Sequence, residues 1–180
     1  MRKIFIIGIV ASGKTTLAKR LSNQLGIPWY ELDNIVHHHT LDGRNKRTPE
    51  EQVEVIYNID RSGDWIFEGV HRESYSCLLD MADTIIFLDP PLWKRKVRIL
   101  TRYIKQNLGL EHCDYKPDIG MLKMMYTWTS DFEHDRPVFA AKLNLYSHKV
   151  TRVTNSEALN DKLFRSEERV VEDSEGVTHG

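Results

Sequence analysis

Eight residues near the start of the chain, Gly8-Ile9-Val10-Ala11-Ser12-Gly13-Lys14-Thr15, follow the pattern G-x-x-x-x-G-K-[ST]; the apolar run Ile4-Phe5-Ile6-Ile7 precedes them and a helix-like segment follows. No other feature constrains the fold as much. A buried strand, a glycine-rich turn and a helix N-terminus in that order make a cradle of backbone N–H groups for phosphate oxygens. Gly8 and Gly13 let the amides turn inward, so Gly8, Ala11, Ser12, Gly13, Lys14, Thr15 and Thr16 are the expected nucleotide contacts. Lys14 adds a mobile positive charge, and the Thr15 hydroxyl suits Mg2+. The same letters away from a strand and a helix would be only a glycine-punctuated turn.

The rest of the chain repeats the alternation. Strand-like segments at 3–7, 29–32, 65–67, 84–88 and 150–154 are separated by helix-like ones. This is the pattern of a P-loop NTPase fold: a three-layer α/β/α sandwich on a five-stranded parallel sheet. The first strand is apolar on both faces and belongs in the middle. Leu17, Leu21 and Leu25, with Ala18 beside them, turn one stripe of the first helix to the sheet, and Gly26-Ile27-Pro28 stops it. A polar, basic loop is expected over 41–47. Thr48-Pro49-Glu50-Glu51 then gives an N-cap, a first-turn proline and a capping-box glutamate for a helix burying Val53, Ile56 and Tyr57.

A long helix is expected over 92–107. Beyond it, Gly109, Pro117 and Gly120 introduce a mixed segment with Met124, Met125, Trp128 and Phe132, and a further helix over 137–146. These methionines and Trp128 read as core in preference to a base-stacking platform. Residues 103–136 are the expected helical lid of one domain spanning 1–163, which ends in a short helix from Ser156. From 164 to 180 five acids face two arginines, and this stretch reads as a flexible polar tail.

Composition removes other classes. At 180 residues and 41% apolar content the chain suffices for one ordinary core. No apolar run approaches the ~20 residues of a membrane span, and the first strand begins at once, so the expectation is a cytoplasmic protein with no membrane partner. Cys77 and Cys113 form no C-x-x-C pair and are expected as free thiols. A formal net charge of −1 disfavours nucleic acid as a partner of the whole surface.

Chemistry collects where strands end. Asp33, Glu68 and Asp89 each close a strand-like segment, and in open α/β sheets ligands lie outside the carboxyl ends of the strands. Glu68 follows an apolar strand and precedes Gly69, which allows a ligand close to the backbone, so a functional role is favoured. Asp89 before Pro90-Pro91 reads as an N-cap. Asp33 stays open between capping a turn and holding a ligand. Metal binding falls to Thr15 with Asp33 or Glu68, the carboxylates acting through water. Lys94, Arg98, Arg102 and Lys105 recur at helical spacing with Arg95 nearby, while Val97, Leu100, Ile104 and Leu108 mark another face. Like charges in such a row repel unless an anion lies among them, so a phosphate-binding helix is preferred to a solvated face. Lys14, Arg98, Arg102 and Glu68 are the expected catalytic set. His37-His38-His39 is expected to face solvent or a substrate loop, since adjacent imidazoles point apart, and His112-Cys113-Asp114 is expected to be loop.

Residues 8–15, Leu32-Asp33, 65–72 and 84–102 together resemble the adenylate-kinase-like branch of P-loop kinases, and more closely the DNA topology modulation (FlaR-related) family; the resemblance spans about residues 1–155. Nucleoside monophosphate kinases carry D-G-F-P-R after the third strand. Here Glu68-Gly69-Val70-His71-Arg72 keeps the acid, the glycine and the arginine. Their lid begins L-D, then a proline with arginines seven and eleven residues on, matched by Leu88-Asp89, Pro91, Arg98 and Arg102. The resemblance implies that Arg98 and Arg102 hold ATP and that Arg72, with Asp33, meets the acceptor. The T-G-D acceptor segment of adenylate kinases is replaced by Glu31-Leu32-Asp33, and Val70-His71 replace the phenylalanine and proline, so AMP is not implied. Arg136 is a further lid arginine without a motif to place it.

The expected activity is ATP- and Mg2+-dependent phosphoryl transfer to a small acceptor, a nucleotide or another metabolite bearing a hydroxyl or phosphate. The alternative is an ATP-binding regulatory switch, connected with DNA topology through the family's name.

Overall fold

The computed structural model describes residues 2–40, 43–111 and 117–155. Strand β1 (Lys3–Gly8) lies at the centre of a five-stranded parallel sheet with the order β2-β5-β1-β6-β7. Its neighbours are β5 (Trp65–Gly69) and β6 (Thr84–Leu88), with β2 (Trp29–Glu31) and β7 (Val150–Val153) at the edges. Period-two alternation divides β1 between two cores. Phe5 and Ile7 join Trp65, Phe67, Ile85 and Phe87 on one side; Ile4 and Ile6 join Ile66, Ile86 and Leu88 on the other. Both faces are buried, as a parallel sheet requires.

Helix α1 (Lys14–Leu25) covers the second face through Leu17, Ala18 and Leu21, and stops at Gly26, whose φ of 67° suits glycine. The first face is covered by α2 (Leu32–Val36), α3 (Pro49–Arg61), α4 (Cys77–Met81) and the far half of α6 (Ile119–Asn144). Trp65 and Phe67 are fully buried there, each contributing on the order of 2 kcal/mol. At the start of α3 the Thr48 hydroxyl accepts from Glu51 N–H while the Glu51 carboxylate accepts from Thr48 N–H, the reciprocal cap expected from the sequence.

Several expectations are corrected. Most of the expected basic loop is strand β4 (Gly43–Lys46), paired antiparallel with β3 (His37–Thr40), so the three histidines lie on a hairpin. On α3 the buried face carries Gln52 and Ile56, while Tyr57 is exposed. Gln52 is held by donating to Arg47 O and accepting from Ser74, so a polar residue takes the inward position that apolar periodicity gave to Tyr57. The segment before Pro137 is not mixed: α6 is one helix from Ile119 to Asn144, capped by the Asp118 side chain on Met121 N–H. Met125, Thr129 and Leu143 are buried on it at helical spacing, while Met124 and Trp128 are exposed, so only Met125 of that trio is core. Pro137 sits inside, forgoing one backbone bond toward Glu133.

Helix α5 (Leu92–Asn107) has the expected limits, and the structure decides which of its faces is buried. Arg95, Ile99 and Gln106 are buried, whereas Val97, Leu100, Ile104 and Leu108 are exposed. Arg95 is held inside by donating to Pro90 O and pairing with Glu133 of α6. Asp89 is not the cap of α5, whose N-cap residue is Pro91. It is buried at the end of β6, where Arg136 of α6 and Arg152 of β7 both pair with it. Arg136 is shared with Glu133, so it fastens α6 to the sheet. Of the thiols, Cys77 is free and half-buried. The tail, the helix from Ser156, and the His112-Cys113-Asp114 expectation lie outside the described residues. Among the described residues no helix is long and apolar enough to cross a membrane.

Candidate active site

The carboxyl ends of β1, β2, β5 and β6 share one rim, and the turn from β1 to α1 crosses it. Ala11 (φ 58°) and Gly13 (φ 100°) are left-handed there, and Ala11 is the one such residue with a side chain among those described. Strain of that kind persists where surrounding structure enforces it, as at ligand clamps. A Cβ on Gly8 would meet Ser12 Oγ at 2.5 Å and Leu88 O at 2.7 Å, so glycine is required for the turn to lie this close to β6.

The loop has the features of a phosphate cradle. Lys14 Nζ donates to Ile9 O, a carbonyl of its own loop, at 3.1 Å. Ser12 Oγ is buried without a partner among the described residues. A buried unpaired hydroxyl and an ammonium resting on a backbone carbonyl are groups that an anion's oxygens would satisfy. Burial lowers the Lys14 pKa; Glu68 and Asp33 oppose that, and nearby Arg102 adds to it.

Beside the cradle, Thr15 Oγ1 donates to Glu68 Oε1 at 2.5 Å. Glu68 is buried, and β-sheet register places it between Ile6 of β1 and Glu31 of β2. Burial raises its pKa, against the lowering influence of Lys14 and the Thr15 hydrogen bond. Hydroxyl and carboxylate fit Mg2+, which keeps several waters and takes one or two protein groups plus substrate phosphates. A cage of three or more His, Cys, Asp or Glu is absent among the described residues, and that coordination style does not need one.

Arg98 of α5 donates to Ala11 O at 3.3 Å and Ser12 O at 3.0 Å, bringing the basic helix against the loop. Arg102, one turn on, pairs with Glu111 at 3.0 Å. Asp33, in the first turn of α2, pairs with Arg72 at 3.3 Å, and both are solvent-accessible. The structure thus brings together Lys14, Thr15, Glu68, Asp33, Arg72, Arg98 and Arg102, and places Lys94 and Lys105 on α5 away from these contacts. Gly69 has a different purpose from the expected one: the space a Cβ would need there is filled by the Leu32 side chain at 2.8 Å, so this glycine serves packing of the β2–α2 corner. Sequence reasoning missed Glu31, which acts on both Lys14 and Glu68. Its closeness to Glu68 follows from β2–β5 register, which no local pattern encodes.

No family model matches the sequence. Among curated proteins the chain is similar to a shikimate kinase from Flavobacterium psychrophilum, 24% identical over 110 residues covering 61% of this chain; it spans 62% of that relative's length. Among solved structures it is similar to a shikimate kinase from Bacteroides thetaiotaomicron (TM-score 0.52, 15% identity, 94% of this chain and 98% of that one). It is similar also to a gluconokinase from Sinorhizobium meliloti (TM-score 0.51, 14% identity, 99% and 98%) and to a deoxyadenosine kinase from M. mycoides with bound dATP (TM-score 0.50, 15% identity, 94% and 100%). The likeness covers nearly the whole chain and shows its fold, the three-layer α/β P-loop architecture.

Proposed function

We propose that the protein is an ATP-dependent kinase that transfers the γ-phosphoryl group to a small acceptor. The observation that carries this reading is the convergence on one rim of the cradle with Lys14, the Thr15–Glu68 pair, Arg98 and the exposed Asp33–Arg72 pair. A site for a triphosphate alone would not need the last of these. The similarity to enzymes named as shikimate kinase, gluconokinase and deoxyadenosine kinase supports phosphoryl transfer as the reaction class. Their differing acceptors leave this chain's acceptor defined by its own residues.

In this reading the loop amides and Lys14 take the β- and γ-phosphates, Lys14 exchanging its contact with Ile9 O for a phosphate oxygen. Thr15, with Glu68 or Asp33 through water, would hold Mg2+, which when bound would neutralise charge on the transferring phosphates. Arg98 and Arg102 neutralise charge that spreads over the group in transfer. An acceptor oxygen bonds to the γ-phosphorus as the bond to the β–γ bridging oxygen breaks, and ADP leaves. Glu68 is buried and already bonded, so Asp33 is the carboxylate an acceptor hydroxyl reaches and the group that takes its proton. Arg72 meets an anionic part of the acceptor. The finer likeness to the DNA topology modulation family belongs to this proposal and rests on the Glu68–Arg72 and Leu88–Arg102 motifs.

Incubation with labelled ATP and a panel of nucleosides, nucleoside monophosphates, sugars and other hydroxy acids is expected to yield one stoichiometrically phosphorylated acceptor. ATP uptake with slow hydrolysis that no acceptor accelerates would replace the kinase by a nucleotide switch. Arg98→Ala and Arg102→Ala are each expected to raise KM for ATP or lower kcat by about 10- to 100-fold. Unchanged kinetics in both variants would return that face of α5 to a solvated role.

A further inference from the structure

We propose that the outward face of α5 docks on an anionic membrane surface. Trp93, Val97, Leu100, Ile104 and Leu108 recur at spacings of four, three, four and four, which puts them on one face, and each is between 45% and 67% exposed. This face is opposite the buried Arg95, Ile99 and Gln106, so the helix cannot turn it inward. The stripe is on the order of 500 Å2, at the size where exposed apolar patches mark interaction sites.

Charge selects the occupant. Helix α5 contains no acid; with Arg98 on the phosphate loop and Arg102 on Glu111, Lys94, Lys96 and Lys105 are left as its surface cations. Helical geometry puts Lys94 and Lys105 on one flank of the stripe and Lys96 on the other. Lysines on both flanks of an apolar ridge ending in tryptophan are the pattern of a helix lying in a membrane interface, where one plane of negative headgroups meets both flanks. A second copy fits less well. Antiparallel pairing of two α5 helices about Leu100 would set Lys94 near the other copy's Lys105. It would bury on the order of 1,000 Å2 in all, below the roughly 1,200–2,000 Å2 of stable interfaces.

The test is co-sedimentation of the full chain with phosphatidylcholine vesicles, with and without a quarter phosphatidylglycerol, at low and high salt. Binding is expected to be at least about tenfold stronger to the anionic vesicles, to weaken with salt, and to shift tryptophan emission to the blue in the native chain but not in Trp93→Phe. The double variant Leu100→Ser/Ile104→Ser, changed only on the exposed face, is expected to lose binding about tenfold with an unchanged far-ultraviolet circular dichroism spectrum. Three outcomes would overturn the proposal: no vesicle binding, binding that the double variant retains, or a wild-type dimer in sedimentation velocity that the double variant dissolves. The last would make a second copy the occupant.

Discussion

Lys14→Ala is expected to abolish turnover, with kcat falling by on the order of 10^3-fold or more, while the folded structure is retained. Its ammonium is the one positive group fixed inside the phosphate loop, touching Ile9 O at 3.1 Å. That buried position is costly for a charged group. Burial depresses its pKa, so between the depressed value and the ordinary 10.5 the folded state holds fewer protons than the unfolded chain. Stability then rises with pH through that window, and the charged lysine weighs against folding below it. The Lys14→Ala melting temperature is therefore expected to equal the native one or to exceed it by a few degrees at pH 7. Lys14 is also the strongest influence among neighbouring charges lowering Glu68. In Lys14→Ala the Glu68 titration is expected to move upward, which carboxyl-labelled NMR follows directly. Full residual activity would discard the site; inactivity with a collapsed melting temperature would make Lys14 a structural residue.

Glu68→Gln is expected to lower kcat by about 10^2- to 10^3-fold and to leave a distinct signature in stability. A carboxyl whose folded pKa is raised above its unfolded value of 4.5 keeps its proton longer in the folded state. Stability contributed by Glu68 is thus present below pH 4.5 and lost as pH rises through the raised pKa, the reverse of a salt-bridged acid. In the glutamine variant that decline disappears. Thermal melts at half-unit steps from pH 4 to 8 should show native stability falling relative to Glu68→Gln across the acidic window. Parallel profiles would remove the buried, charge-strained carboxylate from the account, and unaltered turnover would remove it from the chemistry.

Much of the fold was legible because its signals are local. The strands are short apolar runs, the Thr48–Glu51 cap is a four-residue motif, and the glycine-lysine-threonine loop is contiguous. That Lys14, Thr15, Glu68 and Arg98 come together on one rim follows from signals of the same kind, each lying within a short pattern at a strand end or on a helix face. Where reading failed, a partner distant in sequence had overridden local preference. Arg95 is inside α5 because Glu133, 38 residues away, meets it there. Asp89 turns from the cap position because Arg136 and Arg152 converge on it. A proline's fixed φ suits a helix start, but packing of Met125, Thr129 and Leu143 against the rest of the fold carries α6 through Pro137.

The amino-acid order alone determined that a strand, a glycine turn and a helix would build a phosphate cradle, because such geometry depends on backbone freedom over eight consecutive residues. It also determined which side chains carry charge along α5. Only the tertiary structure decided which face of that helix is buried, that Glu31 and Glu68 are neighbours, and that Asp33 meets Arg72. These depend on sheet register and on ion pairs between distant segments, whose energies exist only once the chain has brought the partners together.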